Sequence, residues 1–321
     1  RVFRHFQEWD LFCKYAHQLQ ADHCLIMYFD TYQLPLAVAP KVPCPFSGIY
    51  FRPTFHYYQL DHYSPNWKDW MQAWREKIAI SQILVHPKLE RLFCLDSIAV
   101  PHLNQFPGGS KVVSLPDPVK LVQPSHTILN SCRDRLKIDP TRRVFLLFGA
   151  LTNRKGIYQL LDAISILSVD LCQKLSVLLI GESNIADQLN SKIAEICKTQ
   201  PVQIIQHYKF VPESEVSAYF ELCHVVLAPY QRHVGMSGIL LLAAAATKPV
   251  LCSNYGLMGE IVQRYELGLT VDSTQPKEIA SGLNQFLKIS DPTELCNSET
   301  MAKFAKQNSA EEFARTIFEN I

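Results

Sequence analysis

The chain has 321 residues. A single hydrophobic core rarely grows past about 250–300 residues, so two domains are expected. Its 31 Lys and Arg balance 30 Asp and Glu, a net charge of +1, which argues against a dedicated nucleic-acid binder with its basic stripe. With 48% hydrophobic and 19% charged residues the mix is globular rather than disordered, and no apolar run reaches the ~18–20 residues of a membrane span.

The sequence opens at Arg1, without Met, and Val2, Phe3, Phe6, Trp9, Phe12 and Cys13 recur at helical spacing. Such a start in mid-domain leads us to expect missing residues upstream. HCLIMYFD, SGIYFRP, ERLFCLD and KVVSLP read as strands, and Trp67–Leu84 as a long helix. Four strands are few for a doubly wound domain, so the first domain is expected to be incomplete at its N-terminus. On the long helix Trp67, Trp70 and Trp74 share a face with Met71, which is expected to be core. Peripheral membrane contact is the other use of such a face, although Asp69 and Glu76 offset Lys68, Arg75 and Lys77 there. LPDPVKLVQPS (Leu115–Ser125) is Pro-rich and aperiodic and reads as the domain boundary.

From Val144 the chain alternates strictly. VFLLFG, SVLLIG, VQIIQHYKF, HVVLAPY, PVLCSN and GLTVD are strand-like, helical stretches such as GIYQLLDAISIL, PESEVSAYFELC and GLMGEIVQRYEL lie between them, and the helical QPKEIASGLNQFL follows the last. Strands separated by helices of 10–15 residues imply βαβ units and a parallel sheet covered on both faces. A last helix, Glu299–Ile321, has no obvious partner in the second sheet. The expected division is 1–120, 121–300 and a C-terminal helix, 301–321, crossing back to the first domain. The 10 cysteines form no C-x-x-C pair, and Cys94, Cys223 and Cys252 sit in apolar runs, as buried thiols do in a reducing compartment. No signal peptide is visible, so the cytoplasm is the expected location, with membrane association open.

In an open parallel sheet, ligands bind beyond the carboxyl ends of the strands. After VFLLFG come Arg154 and Lys155, two cations ahead of a helix, which suit a phosphate. After HVVLAPY comes QRHVGMSG, with Gly235, Ser237 and Gly238 leading into an apolar helix whose first amides suit an anion. Each loop alone has a plain reading, as solvated charge or as simple capping. Together they fit a diphosphate, and hence a nucleotide-linked ligand.

The ordered series LLFGALTNRKG, LLIGE, HYKFVPESEVSAYFELCHVVLAPY and GMSGILLLAAAATKPVLCSNYGLMGEIV, over Val144–Asp272, resembles the retaining glycosyltransferases of family 4. LERLFCLDSIAVPHL and KVVSLPDPV resemble that family's acceptor domain. The resemblance implies the GT-B fold, an α/β architecture of two Rossmann-like, doubly wound parallel-sheet domains facing a cleft. It places Lys155 on the lysine that contacts the donor diphosphate, with Arg154 beside it, while the family's usual arginine position is Ala150. Gly235, Ser237, Gly238 and Ile239 fall on the segment that meets the donor phosphates, and Phe210 and Val211 border the nucleotide base. His56 is the candidate for the family's catalytic histidine that faces the sugar. Nearby Phe51, Phe55, Tyr57 and Tyr58 suit either an acceptor surface or local packing. The family's two glutamates, eight positions apart, are replaced by Val234 and Leu242. No D-x-D pair appears in a suitable loop, so metal-independent transfer is expected, with no metal site and no cofactor besides the donor. The implied activity moves a sugar from a UDP- or GDP-linked donor to a hydroxyl of a saccharide or lipid-linked acceptor, as in polysaccharide biosynthesis, with no nucleic-acid partner. The alternatives are a catalytically degenerate GT-B protein acting as a binding or scaffold module, and a sugar-phosphate or epimerase enzyme of the same architecture.

Overall fold

Short apolar runs alternate with amphipathic helices along the whole chain, and the computed structural model, which describes residues 2–38, 42–120 and 122–321, resolves them into two units. Unit 1 is Arg1–Pro118 with Ser309–Ile321, and unit 2 is Val119–Asn308.

Unit 1 runs α1 (Val2–Gln18), β1 (Cys24–Ile26), α2 (Phe29–Val38), β2 (Phe46–Tyr50), α3 (Trp67–Leu84), β3 (Leu89–Cys94), α4 (Val100–Leu103) and β4 (Val112–Ser114). The four strands form a parallel sheet in the order β1-β2-β3-β4. All of β2 is buried, as a strand covered on both faces must be. Trp9, Phe29, Phe46, Tyr50, Ile80, Ile83 and Leu92 make the core on the helical side.

Helix α3 begins at a reciprocal cap: Asn66 accepts from the Lys68 and Asp69 amides, and Asp69 accepts from the Asn66 amide. Its buried residues are Ala79, Ile80, Ile83 and Leu84. The expectation that the tryptophan face is core is wrong. Trp67, Trp70 and Trp74 are 66%, 62% and 62% exposed. The opposite side of the helix is the one held inward: Ala73 packs on the core, and the Glu76 carboxylate accepts from the hydroxyls of Tyr50 and Thr54 and from the Thr54 amide. A helix with two apolar sides can bury only one of them against a single sheet.

Unit 2 runs α5 (His126–Leu136), β5 (Arg143–Phe148), α6 (Ile157–Ser165), α7 (Val169–Gln173), β6 (Leu175–Ile180), α8 (Ala186–Thr199), β7 (Gln203–His207), α9 (Glu213–Leu222), β8 (Val225–Ala228), α10 (Ile239–Ala245), β9 (Val250–Ser253), α11 (Gly256–Arg264), β10 (Gly268–Val271), α12 (Pro276–Lys288) and α13 (Ser298–Gln307). Its six parallel strands are ordered β10-β9-β8-β5-β6-β7. The chain winds outward from β5 through β6 to β7, then returns to place β8 on the other side of β5. The order therefore reverses between β5 and β8, where such sheets open a crevice.

The single helix read over Glu299–Ile321 is two. Helix α13 stays on unit 2, where Phe304 packs against Tyr265 with ring centroids 4.3 Å apart. Asn308 breaks the helix, and Ser309 caps α14 (Ala310–Phe318) by accepting from the Glu312 amide. Helix α14 belongs to unit 1, where Ile317 and Phe313 pack with Ile49, Phe93 and Leu115. Cys94, Cys223 and Cys252 are buried and form no disulfide. Among the described residues no helix is long and apolar enough to cross a membrane.

Candidate active site

The loops leaving β5 and β8 carry the side chains singled out in the sequence. After β5, Gly149 has φ +97°, and a Cβ there would press on the Lys155 Nζ at 3.3 Å. Glycine thus both permits the turn and leaves room for the lysine. Lys155 folds back so that its ammonium donates to the Phe148 carbonyl at 2.9 Å and to the Tyr230 hydroxyl. It is only 7% exposed and lies 4.4 Å from the centroid of the Tyr230 ring.

Burial pulls its pKa from 10.5 down to about 7, and the neighbouring Arg154 adds a smaller push in the same direction. No acidic group acts on it among the described residues. A buried ammonium without a carboxylate is costly, and its natural complement is an anionic ligand.

Tyr230, at the end of β8, joins the two loops. Its oxygen accepts from Lys155, so its own proton is free to go to Ser237 Oγ, 3.2 Å away. The Ser237 hydroxyl proton then remains available to a further acceptor. Burial pushes the Tyr230 phenol up to about 12, so it stays protonated. Arg154 also lies against this tyrosine: the guanidinium carbon is 5.3 Å from the ring centroid, and one NH donates to His233 Nδ1 at 3.2 Å. With Nδ1 accepting, the His233 Nε2 proton goes to the Met236 carbonyl, also at 3.2 Å, which holds the backbone just before Ser237. The Arg154 carbonyl accepts from the Gln231 amide at 2.8 Å, a direct tie between the loops.

Gly238 precedes α10 with φ −56°, a conformation open to any residue, and a Cβ there would meet nothing within 4 Å. Neither backbone strain nor protein packing accounts for this glycine, and the space beside it is empty. Gly235 and Ile239 are buried beneath the same turn. Val234 and Leu242, which the sequence resemblance sets against two glutamates, are half-buried, and the Val234 carbonyl accepts from the Leu257 amide. Phe210 is 72% exposed beyond β7, whereas Val211 turns inward.

In unit 1, His56 lies beyond β2 and Asp96 just beyond β3, both at the carboxyl edge of that sheet. His56 is 1% exposed, with Nε2 3.2 Å from Asp96 Oδ2 but without linear hydrogen-bond geometry. The other carboxylate oxygen of Asp96 accepts from the Ile98 and Ala99 amides, which fixes the group. The His102 ring stacks on His56 at 5.6 Å, and both line a cavity of about 220 Å³ with Phe55, Lys77, Gln105 and Phe106. The aromatic cluster divides: Phe55 and Tyr57 are buried, while Phe51 stacks on Tyr28 and Tyr58 on Trp70 at the surface. No group of three His, Cys, Asp or Glu side chains suited to a metal ion occurs among the described residues.

The family model for "Glycosyl transferases group 1" matches residues 130–311, more than half of the chain. The chain belongs to the group 1 glycosyltransferases. No curated protein matches this glycosyltransferase. Among solved structures, that of Anabaena HepE in complex with UDP superposes with a TM-score of 0.70 at 14% identity, covering 97% of this chain and 80% of that one. The UDP-forming α,α-trehalose-phosphate synthase of Burkholderia xenovorans, in complex with glucose-6-phosphate, gives 0.68 at 13% identity, covering 98% and 77%. A glycosyltransferase of Rickettsia africae gives 0.66 at 13%, covering 99% and 81%. At such identities the likeness is one of fold, and it is the GT-B fold of two parallel-sheet domains.

Two residues that the structure joins to the predicted side chains, Tyr230 in unit 2 and Asp96 in unit 1, escaped the sequence. Tyr230 read as the end of a strand, yet its place two residues beyond β8 at the sheet reversal was a usable signal. Asp96 had no signal beyond its position after a strand, because its pairing with His56 spans forty residues.

Proposed function

We propose that this group 1 glycosyltransferase binds a nucleotide-diphosphate sugar on unit 2 and transfers its hexosyl group to an acceptor hydroxyl, with retention and without a metal ion. The observation that carries this reading is Lys155: a buried ammonium with no carboxylate acting on it among the described residues, hydrogen-bonded through Tyr230 to Ser237, at the point where the sheet order reverses. In the reaction the bond from the anomeric carbon to the diphosphate oxygen breaks, its electron pair leaves with the phosphate, and the acceptor oxygen bonds to that carbon while its hydroxyl proton passes to the departing phosphate oxygen. Lys155, Arg154, the Ser237 hydroxyl and the amides of Gly235–Ile239 are assigned to the departing negative charge, which they stabilise more than the ground state. Phe210 and Val211 are assigned to the base. His56, steadied by Asp96, keeps the catalytic role that the resemblance gives it. UDP is the first nucleotide to test, since the HepE structure is a complex with it and the trehalose-phosphate synthase is a UDP-forming enzyme.

The decisive experiment is a panel of UDP- and GDP-sugars tested by thermal shift, followed by transfer assays with Lys155→Ala. Stabilisation by one nucleotide class, and transfer that Lys155→Ala strongly reduces while the fold is kept, are expected. Near-wild-type transfer by that variant refutes the assignment. Val234 and Leu242 favour a second reading, a degenerate binding module. Binding of nucleotide without turnover across an acceptor panel selects it.

A further inference from the structure

At about 100° per residue, the exposed side of α3 can be mapped from Trp67. Met71, Trp74 and Ile78 fall within about 40° of it, and Trp70 about 60° to one side. All five are exposed. Lys68 and Arg75 border this stripe at about 80–100° on one flank and Lys77 at about 80° on the other, and all three are exposed. The two acids of the helix lie behind, at about 180–200°. Asp69 is spent in the N-terminal cap, and Glu76 is turned into the unit by Tyr50 and Thr54. The face presented outward is therefore apolar at its centre and positive at both edges. The near balance of charge along the helix in the sequence is not a balance on its surface. Tyr58 extends the apolar area by stacking on Trp70 at 6.3 Å, and the Lys68 ammonium lies 5.7 Å from the Trp67 ring centroid.

We infer that this face of α3 docks on a membrane surface containing anionic lipid, with the indoles at the headgroup level and Lys68 and Arg75 on the phosphates. Indole rings prefer the interface because they pair a large apolar body with one polar N–H. Basic residues beside such a stripe add attraction to negative headgroups. A protein partner with an apolar groove would match the indoles alone. The paired basic edges select an anionic surface. The inference stands on unit 1 and does not rest on the transfer reaction.

The test uses the whole protein with vesicles of phosphatidylcholine, with and without phosphatidylglycerol, in a flotation assay. Of the four tryptophans, Trp9 is buried, so a blue shift of emission on binding reports the exposed three. Binding that requires phosphatidylglycerol, with a blue shift, is expected. Lys68→Gln and Arg75→Gln should each weaken it about five-fold. Trp67→Ala, Trp70→Ala and Trp74→Ala combined should weaken it by about ten-fold or more, with circular dichroism and melting unchanged. No binding to either vesicle overturns the inference, as does binding that survives the triple substitution. Self-association abolished by the triple substitution, in protein that ignores vesicles, would make a second copy the occupant instead.

Discussion

Donor binding should drive a proton onto Lys155. The free protein holds this amine at about 7, so at pH 8 roughly nine-tenths of the molecules carry it neutral. A diphosphate beside the amine favours the charged form and returns the group toward its ordinary 10.5. Uptake per bound donor should then be about 0.9 proton at pH 8, about 0.5 at pH 7 and about 0.1 at pH 6. Full recovery of the shift corresponds to about 5 kcal/mol between the phosphate and the ammonium, an upper bound. UDP-glucose suits the assay, because neither phosphate of a nucleotide sugar ionises near neutrality. Titration calorimetry in buffers of different ionisation enthalpy reads the uptake directly. Lys155→Met should abolish it and weaken binding by at least about a hundred-fold. Uptake that is absent at pH 8 in the wild type, or that persists in Lys155→Met, would show that this lysine does not meet the diphosphate.

The same group makes the unliganded protein pH-sensitive. Its folded pKa is depressed, so between pH ~7 and ~10.5 the unfolded state holds the extra proton, and stability should rise with pH by up to about 1.4 kcal/mol per unit from this residue. Lys155→Met should flatten that slope in denaturant titrations and stabilise the free protein at pH 7, and a steeper slope would contradict the burial argument. Gly238→Ala should leave stability unchanged or raise it by about 0.4–1 kcal/mol, yet weaken UDP-glucose by roughly ten-fold, and unchanged affinity would mean that the open space beside it is not occupied by ligand. Tyr230→Phe removes the link between Lys155 and Ser237 and should cost about 1–3 kcal/mol in binding, measured against Ser237→Ala in a double-mutant cycle; strict additivity would deny the link. Asp96→Asn should lower kcat of transfer while leaving donor affinity alone, because Asp96 lies on unit 1 beside His56; an unchanged kcat would count against a catalytic part for His56.

The strand-end loops after β5 and β8 were legible because parallel strands announce themselves as unbroken apolar runs, and their carboxyl ends direct attention to a few loops. Arg154, Lys155 and Ser237 were singled out in this way, and the structure brings them together around Tyr230. What the sequence could not carry was direction. Nothing in NRKG says that Lys155 folds inward against Tyr230 while Arg154 stays at the surface. The tryptophan helix failed for a related reason. Periodicity identifies a face but not which of two apolar faces the sheet will cover, and the small residues Ala73 and Ala79 mark the packed side less loudly than three indoles mark the other. The break at Asn308 was missed because the cap that begins α14, Ser309 with Glu312, lies inside what reads as continuous helical spacing.

The backbone passes from one unit to the other twice, at 118–119 and at 308–309, and the Val119 amide donates to the Asn308 carbonyl at 2.8 Å. Unit 2 is thus an insert whose two ends are clasped side by side. Excising Val119–Asn308 should yield a separately expressible piece. A short turn joining Pro118 to Ser309 should let the remainder retain its terminal helix, since the gap to be bridged is about one hydrogen bond wide and a loop that short has little closure entropy to overcome.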